Sequence, residues 1–410
     1  MSQLDVDFVR SQFPAFREPS LDGWAFFENA GGSYASGQVI ERLAEYYRTT
    51  KVQPYWSFPA SKAAGEAMDK AYEQLAGWLN VQVDEVHIGP STTQNLYVLA
   101  NAFRDMWDDG DQIVVSTQDH EANAGAWRRL ADRGIIVHEW HIDPETGALD
   151  PSDLEPLLNE RTRLVAFPHC SNVIGAINPV REIADKAHEV GARVSVDGVS
   201  YAPHGLPDVA ALGADVYVFS TYKTFGPHQG VMTVSRDLLF ELGNQSHFFN
   251  DESIRSRLVP AGSDHAQVVA CGAMIDYFDC LYDHHFDRDA DAAGRGRLVH
   301  DLVRDHETEL LARLLAFLDE RDDVRIVGPS NAELRAPTVS LIPRDRSLAD
   351  VEASLIGDKL AVGTGNFYSP RPLMDMGIPV DSGVLRASFV HYTTEEEVDR
   401  LIAGLDRALT

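Results

Sequence analysis

Lys223 closes the stretch Asp215-Val-Tyr-Val-Phe-Ser-Thr-Tyr-Lys223, an apolar run that empties into a polar turn and ends on an amine. Gly226 and Gly230 follow, so the backbone turns sharply just past it. A lysine where a buried strand ends loses solvent, and burial favours its neutral, nucleophilic form. The ordinary alternative is a loop lysine with its head in water. Three more polar groups stand at the ends of apolar runs. Arg193-Val-Ser-Val-Asp197 ends on a carboxylate followed by Gly198. After residues 86–88 comes Gly89-Pro-Ser-Thr-Thr93, in which Thr92 and Thr93 open a helical stretch. Free N–H groups and hydroxyls at a helix start suit a phosphate. After residues 113–116 comes Asp119-His120-Glu-Ala-Asn123, an imidazole at a run's end.

Taken singly, Asp197 reads equally as a turn former, Thr92 and Thr93 as helix caps, and His120 as a surface residue. Together, an amine, an isolated carboxylate, a phosphate cradle and a flat imidazole describe a pyridoxal phosphate site. Lys223 would form the Schiff base, Asp197 would keep the pyridine nitrogen protonated so that the ring accepts electrons, and His120 would stack on the ring.

The elements that must hold these groups follow from periodicity. Apolar runs at 86–88, 113–116, 135–140, 164–167, 194–196, 216–219 and 231–234 alternate with helical stretches such as 93–107 and 180–190. Val-rich runs separated by helices predict an α/β fold with a mostly parallel seven-stranded sheet covered on both faces. Ligands sit at the carboxyl ends of such strands. An amphipathic arm, residues 1–20, precedes an apolar run at 24–27, a turn at Gly31-Gly32 that lacks GxGxxG, and helices over 39–47 and 63–79. The aromatic linker 53–59 between those helices is expected to pack under a helix or to line the site. Beyond residue 262, helices at 266–282 and 297–321 and strands at 338–341 and 384–388 predict a smaller α+β domain. Its last helix opens on the capping box Thr394-Glu-Glu-Glu397. The expected division is an arm at 1–20, a large domain at 21–262 and a small one at 263–410, with which the N-terminal segment can pack.

Composition narrows the function classes. The chain has 410 residues, 44% hydrophobic and 24% charged, as in a soluble two-domain protein. No apolar run reaches membrane-spanning length, and the acidic start Met1-Ser-Gln-Leu-Asp-Val-Asp is unlike a secretory signal. Cys170, Cys271 and Cys280 form no CxxC pair, which points to a reducing, cytoplasmic setting. With 63 acidic against 35 basic residues and a net charge of −28, the surface repels nucleic acid. Asp283-His-His-Phe-Asp-Arg-Asp289 has metal-ligand residue types but reads as a solvated connector, so no metal site is expected.

The ordered stretches Phe27-Glu-Asn-Ala-Gly31, Gly89-Pro-Ser-Thr-Thr93, Asp119-His-Glu-Ala-Asn123, Cys170-Ser-Asn-Val-Ile-Gly175, Val196-Asp-Gly198, Ser220-Thr-Tyr-Lys223 and Arg386-Ala-Ser388 span nearly the whole chain. As a set they resemble the class V aminotransferases, particularly their cysteine desulfurase-like branch. The resemblance implies the fold-type-I architecture and a homodimer with sites at the subunit interface. It implies that Ser220 holds the cofactor phosphate and that Asn172 lies near cofactor and substrate. It pairs Arg386 with the substrate α-carboxylate and lets Ser263 reach the phosphate from the neighbouring subunit. The departures bear on the reaction. Tyr368 stands where desulfurases carry the persulfide cysteine, facing the substrate, and Gly363 stands where they have an arginine. Tyr222 and Ser200 occupy cofactor-binding positions of a histidine and a glutamine. A small amino acid handled through a Lys223 aldimine and a quinonoid is implied. The implied reaction is C–S β-elimination without a persulfide relay; amino transfer, epimerisation and a non-catalytic scaffold are the alternatives.

Overall fold

The computed structural model describes residues 3–260 and 262–410; Met1 and Ser2 of the expected arm, and Ala261 beside the expected boundary at 262, lie outside the described residues. The large sheet has seven strands in the order Val86–Gly89, Gly230–Val234, Val216–Ser220, Arg193–Asp197, Thr162–Pro168, Gln112–Ser116, Ile136–Trp140. Six run in one direction, and Gly230–Val234 runs antiparallel to both of its neighbours. Successive side chains of a strand point to opposite faces. Here Val114, Val165, Val194 and Val196 belong to one buried cluster, while Ile113, Val115, Leu164 and Ala166 belong to the other. Both faces are dry, which is why the strands read as unbroken apolar runs rather than as alternating ones.

The helix Thr92–Arg104 starts where expected, with the Ser91 hydroxyl accepting from the Gln94 N–H at 3.2 Å. It stops before residue 107 because the Arg104 guanidinium donates to the Trp107 carbonyl at 2.6 Å and folds the apolar end back. The helix His265–His285 packs against Gly37–Thr49 and Pro59–Leu79 and shares the core of the large sheet. Its approach to Pro59–Leu79 requires Gly272, whose added Cβ would lie 2.9 Å from Ala71 Cα.

A second, antiparallel sheet runs in the order Gly363–Gly365, Val384–Ser388, Thr338–Pro343, Val324–Val327. Helices Ala292–Asp319, Leu348–Gly357 and Glu395–Leu409 cover it, the last with the capping box between Thr394 and Glu397 formed. Ala25–Phe26 pairs in parallel with Leu360–Ala361, and Ala25 and Phe27 enter this second core. Glu28 is thereby bridged to Ser388, two residues from Arg386. Among the described residues, no helix is long and apolar enough to cross a membrane.

Arg335 ties the two sheets together. Its fully buried guanidinium donates to the carbonyls of Ile174 and Thr338 at 2.8 Å, of Val327 at 3.2 Å, and of Pro329. Ile174 lies two residues from Asn172, so this clamp also fixes one wall of the cleft described below. Replacing Arg335 by Leu takes this donor from three buried carbonyls and from the half-buried one of Pro329, and an orphaned buried acceptor costs about 1–3 kcal/mol. Arg335→Leu is expected to lower unfolding stability by at least about 3 kcal/mol, read as a fall in the urea midpoint.

Candidate active site

Each group singled out at a strand end sits on the same rim of the large sheet. Strand Val216–Ser220 runs into the turn Thr221–Lys223, strand Arg193–Asp197 ends on its carboxylate, and His120 caps the helix Glu121–Arg128. Thr92 and Ser220 share a hydrogen bond of 2.8 Å between their hydroxyls at the start of Thr92–Arg104. Gly230 keeps that turn close, since a Cβ there would run into the Ser91–Thr92 backbone. Thr92, Thr93, His120, Asp197, Ser220 and Lys223 line one inner cleft of about 490 Å³, and Ser200, Tyr222, Asn172 and the thiol-bearing Cys170 also stand in its wall. This cleft is continuous through Thr93, His120, Asn172 and Lys223 with an outer one of about 1330 Å³, which reaches Glu28, Phe367, Tyr368 and Arg386.

The electrostatics follow from burial. Lys223 is 7% exposed, and loss of water together with the nearby Arg386 charge brings its amine down to about 8, against the opposing pull of Asp197 and Glu28. Burial pushes Asp197 up to about 6, moderated by the Val199 N–H that donates to Oδ1 at 2.9 Å and by the Lys223 charge. Asp119 is buried behind them. Burial and the Asp197 charge raise it to about 8, although it accepts from Ser116 Oγ at 2.9 Å and Asn123 Nδ2 at 3.0 Å. His120 is held down to about 4 by burial and by the Lys223 and Arg386 charges, so its ring is neutral. Its Nδ1 accepts from the Ala122 N–H at 3.0 Å, which places the ring proton on Nε2.

Arg386, 2% exposed, lies at the far wall on strand Val384–Ser388. Nη1 donates to the Asn172 carbonyl at 3.1 Å, Nη2 is ion-paired with Glu28, and the Phe367 ring centroid lies 3.7 Å from Cζ. The loop carrying Phe367 and Tyr368 is tied at several points. Asn172 Nδ2 donates to the Phe367 carbonyl at 3.0 Å, Ser369 Oγ donates to Asn172 Oδ1 at 2.7 Å, and the Glu121 N–H donates to the Tyr368 carbonyl at 2.8 Å. Phe367 and Tyr368 both have left-handed backbone, with φ of 50° and 58°. The Tyr368 side chain is 77% exposed and stands 5.7 Å from the His120 ring at the mouth.

Ser263 is not brought into the cleft of its own chain; its hydroxyl donates to the Ile88 carbonyl at 2.9 Å. The 53–59 linker lines neither cleft but does pack on a helix: Pro54 is buried, the Tyr55 ring lies against Gly65 of helix Pro59–Leu79 and its hydroxyl bonds Asp69 at 3.1 Å, while Trp56 and Phe58 remain exposed. In the 283–289 stretch, His284 stacks on Phe8 at 3.6 Å and bonds Asp5, and Asp283 pairs with Arg295. Four residues at or behind the cleft carried no assigned role in the sequence: Glu28, Asp119, Phe367 and Ser369. Glu28 and Asp119 lie inside the quoted motifs, and an acid beside a strand end was the available signal. Phe367 had none, since its partner is remote in the chain.

The family model for aminotransferase class-V matches residues 25–291 and 297–401. The chain is 35% identical to the aminotransferase-like protein FGM3 of Gibberella zeae, over all of this chain and 99% of that protein. It is 31% identical to a cysteine desulfurase of Pectobacterium carotovorum, over 98% of this chain and 97% of the relative. A solved cysteine desulfurase from Thermococcus onnurineus superposes with a TM-score of 0.86 at 23% identity, covering 100% of this chain and 99% of that one, and shares the fold-type-I architecture. Class V aminotransferases and cysteine desulfurases use pyridoxal phosphate.

The environment of Lys223 predicts a distinct titration. After reductive methylation of the cofactor-free protein with ¹³C-formaldehyde, its NMR signal is expected to titrate with a midpoint near pH 8, cationic below and neutral above. Exposed lysines titrate at about 10.4. A Lys223 midpoint in that exposed range would contradict the buried environment.

Proposed function

We propose, for a chain that belongs to the class V aminotransferase family and resembles its cysteine desulfurase-like branch, that it binds pyridoxal 5'-phosphate and catalyses β-elimination from a small α-amino acid without a persulfide relay. The residues fit the cofactor. Thr92, Thr93 and Ser220 offer hydroxyls at a helix start, where N–H groups lack helical partners and a phosphate is favoured. Asp197, ionised above about pH 6, would hold a protonated ring nitrogen by a charge-assisted bond. The neutral His120 ring would cover one face, and Ser200 and Tyr222 would border the rest. When bound, pyridoxal phosphate condenses with amines and delocalises the electron pair left on an α-carbon.

Lys223 Nζ is the base in this reading: it takes the α-proton of the substrate, the β-substituent leaves with the electron pair of its bond to the β-carbon, and the protonated lysine can hand the proton on to that departing group. Its amine lies close enough to neutrality to be uncharged in part at physiological pH. Arg386 and Asn172 would orient the substrate through its α-carboxylate, fixing which bond at the α-carbon faces Lys223. Phe367 and Tyr368 narrow the outer cleft and limit water there.

The observation that carries the persulfide-free reading is where the three thiols sit: none lines the outer cleft, Cys170 and Cys271 are buried, and Cys280 lies outside both clefts. Burial pushes Cys170 and Cys271 up to about 12 and raises Cys280 as well, while the thiolate is the form that accepts sulfur. Tyr368 occupies the loop position at the mouth and cannot accept sulfur. Amino transfer is the second reading, supported by the likeness to FGM3. A homodimer is part of this proposal, supported by the exposed aromatics Trp56, Phe58, Phe248 and Phe249.

Incubation with cysteine, S-substituted cysteines and other amino acids, with product identification, tests the reading. A keto acid with ammonia is expected; a keto acid formed only with an added acceptor favours amino transfer. A variant in which Cys170, Cys271 and Cys280 are all alanine is expected to keep turnover within about three-fold, because no thiol takes part in the chemistry. Loss of turnover in a folded triple variant restores the relay. Lys223→Ala is expected to abolish the cofactor's visible absorbance in the lysine-bound form together with turnover.

A further inference from the structure

Arg386 is already engaged by a carboxylate of its own chain. Glu28 reaches it from the segment bridged to Ser388, and only Oε1 takes part, accepting from Nη2. Nη1 is held by the Asn172 carbonyl, and Nε is buried with no hydrogen-bond partner. The ion pair is therefore single-pronged, whereas a free carboxylate can accept two parallel N–H bonds from one guanidinium.

The neighbourhood is built around the Glu28 side chain. Gly31 leaves the space for it, since a Cβ there would run into Oε2. Gly363 does the same from the facing strand: its Cβ would stand 3.4 Å from Glu28 Cγ and 3.3 Å from the Phe367 ring. Phe367 covers one face of the guanidinium. Glu28 itself lines the outer cleft and keeps about a quarter of its side chain open to it, 27%, so the carboxylate has a place to move to when displaced. Lys223 and Arg386 are two cations lining one outer cleft, and Glu28 supplies the opposing charge there when no ligand is bound.

We propose that Glu28 is a tethered stand-in for the substrate carboxylate, and that its displacement from Arg386 determines which ligands the site accepts. The inference rests on the reading that Arg386 receives the α-carboxylate. A carboxylate ligand gains the unused Nε donor that Glu28 leaves idle. An amide of the same shape has no negative charge with which to expel Glu28, so the site rejects it. Glu28 weakens every carboxylate ligand by the same competition, and binding is tuned down in exchange for selectivity.

Isothermal titration of the cofactor-loaded protein with propionate and with propionamide separates the possibilities. Glu28→Gln removes the competing charge and is expected to bind propionate roughly ten-fold tighter than the wild type and to admit propionamide, which the wild type rejects, so that the preference for the carboxylate falls. Glu28→Asp, which withdraws the carboxylate by one methylene and keeps the charge, is expected to shift in the same direction by less, and it serves if the glutamine variant does not fold. Arg386→Lys is expected to lose most propionate binding in either background. If Arg386→Lys leaves propionate binding intact, the carboxylate seat itself is misassigned and the reading under it fails. If propionate depends on Arg386 yet binds Glu28→Gln and Glu28→Asp no better than wild type, the seat stands and the role given to Glu28 is overturned.

Discussion

A sheet buried on both faces leaves polar side chains one place to stand, the rim where its strands end, and that constraint gathers the site. Gly89, Ser116, Asp197 and Ser220 are the last residues of four strands, and Lys223 is three residues past the last of them. Because apolar residues fill the layers above and below, water reaches these groups only from the rim. Each ionisation is then set by its neighbours rather than by solvent: the lysine falls, the aspartates rise, and the imidazole stays neutral. Burial of the amine comes first; the Asp197 and Glu28 carboxylates favour its charge and the Arg386 guanidinium opposes it.

Much of this rim is readable from the chain because it is local. An apolar run followed at once by Asp197, by Ser220 and Lys223, or by Thr92 marks both the strand and the group at its end. The seven large-sheet strands follow from the same signal. What escaped is long-range or hidden by glycine. Gly363–Gly365 carries two glycines in three residues and so shows no strand pattern, although it pairs with Val384–Ser388, the strand of Arg386. Helix His265–His285 is buried on most sides, so its periodicity does not say which layer it joins. The aromatic stretch 53–59 has the composition of a core, yet only Pro54 is buried while Tyr55 rests on the helix beside Gly65 and Trp56 and Phe58 stay exposed, and no property of its own sequence separates these fates.

The loop holding Phe367 and Tyr368 differs in character from a swinging arm. Two successive non-glycine residues in left-handed backbone are kept there by bonds from Asn172, Glu121 and Ser369, and Arg371 adds ion pairs to Glu121 and Glu139. Sulfur delivery to another protein asks a loop to travel; a fixed loop instead shapes a pocket. Its anchorage supports the proposed chemistry, in which the products leave by diffusion rather than on a carrier residue.

Glu28 and Arg386 stand 358 residues apart in the chain. Closing so long a loop is slow relative to local folding. During synthesis the strands and turns around Lys223 leave the ribosome well before the segment that completes the anion seat. A chain interrupted between residues 223 and 386 therefore carries the amine of the inner cleft without the guanidinium of the far wall.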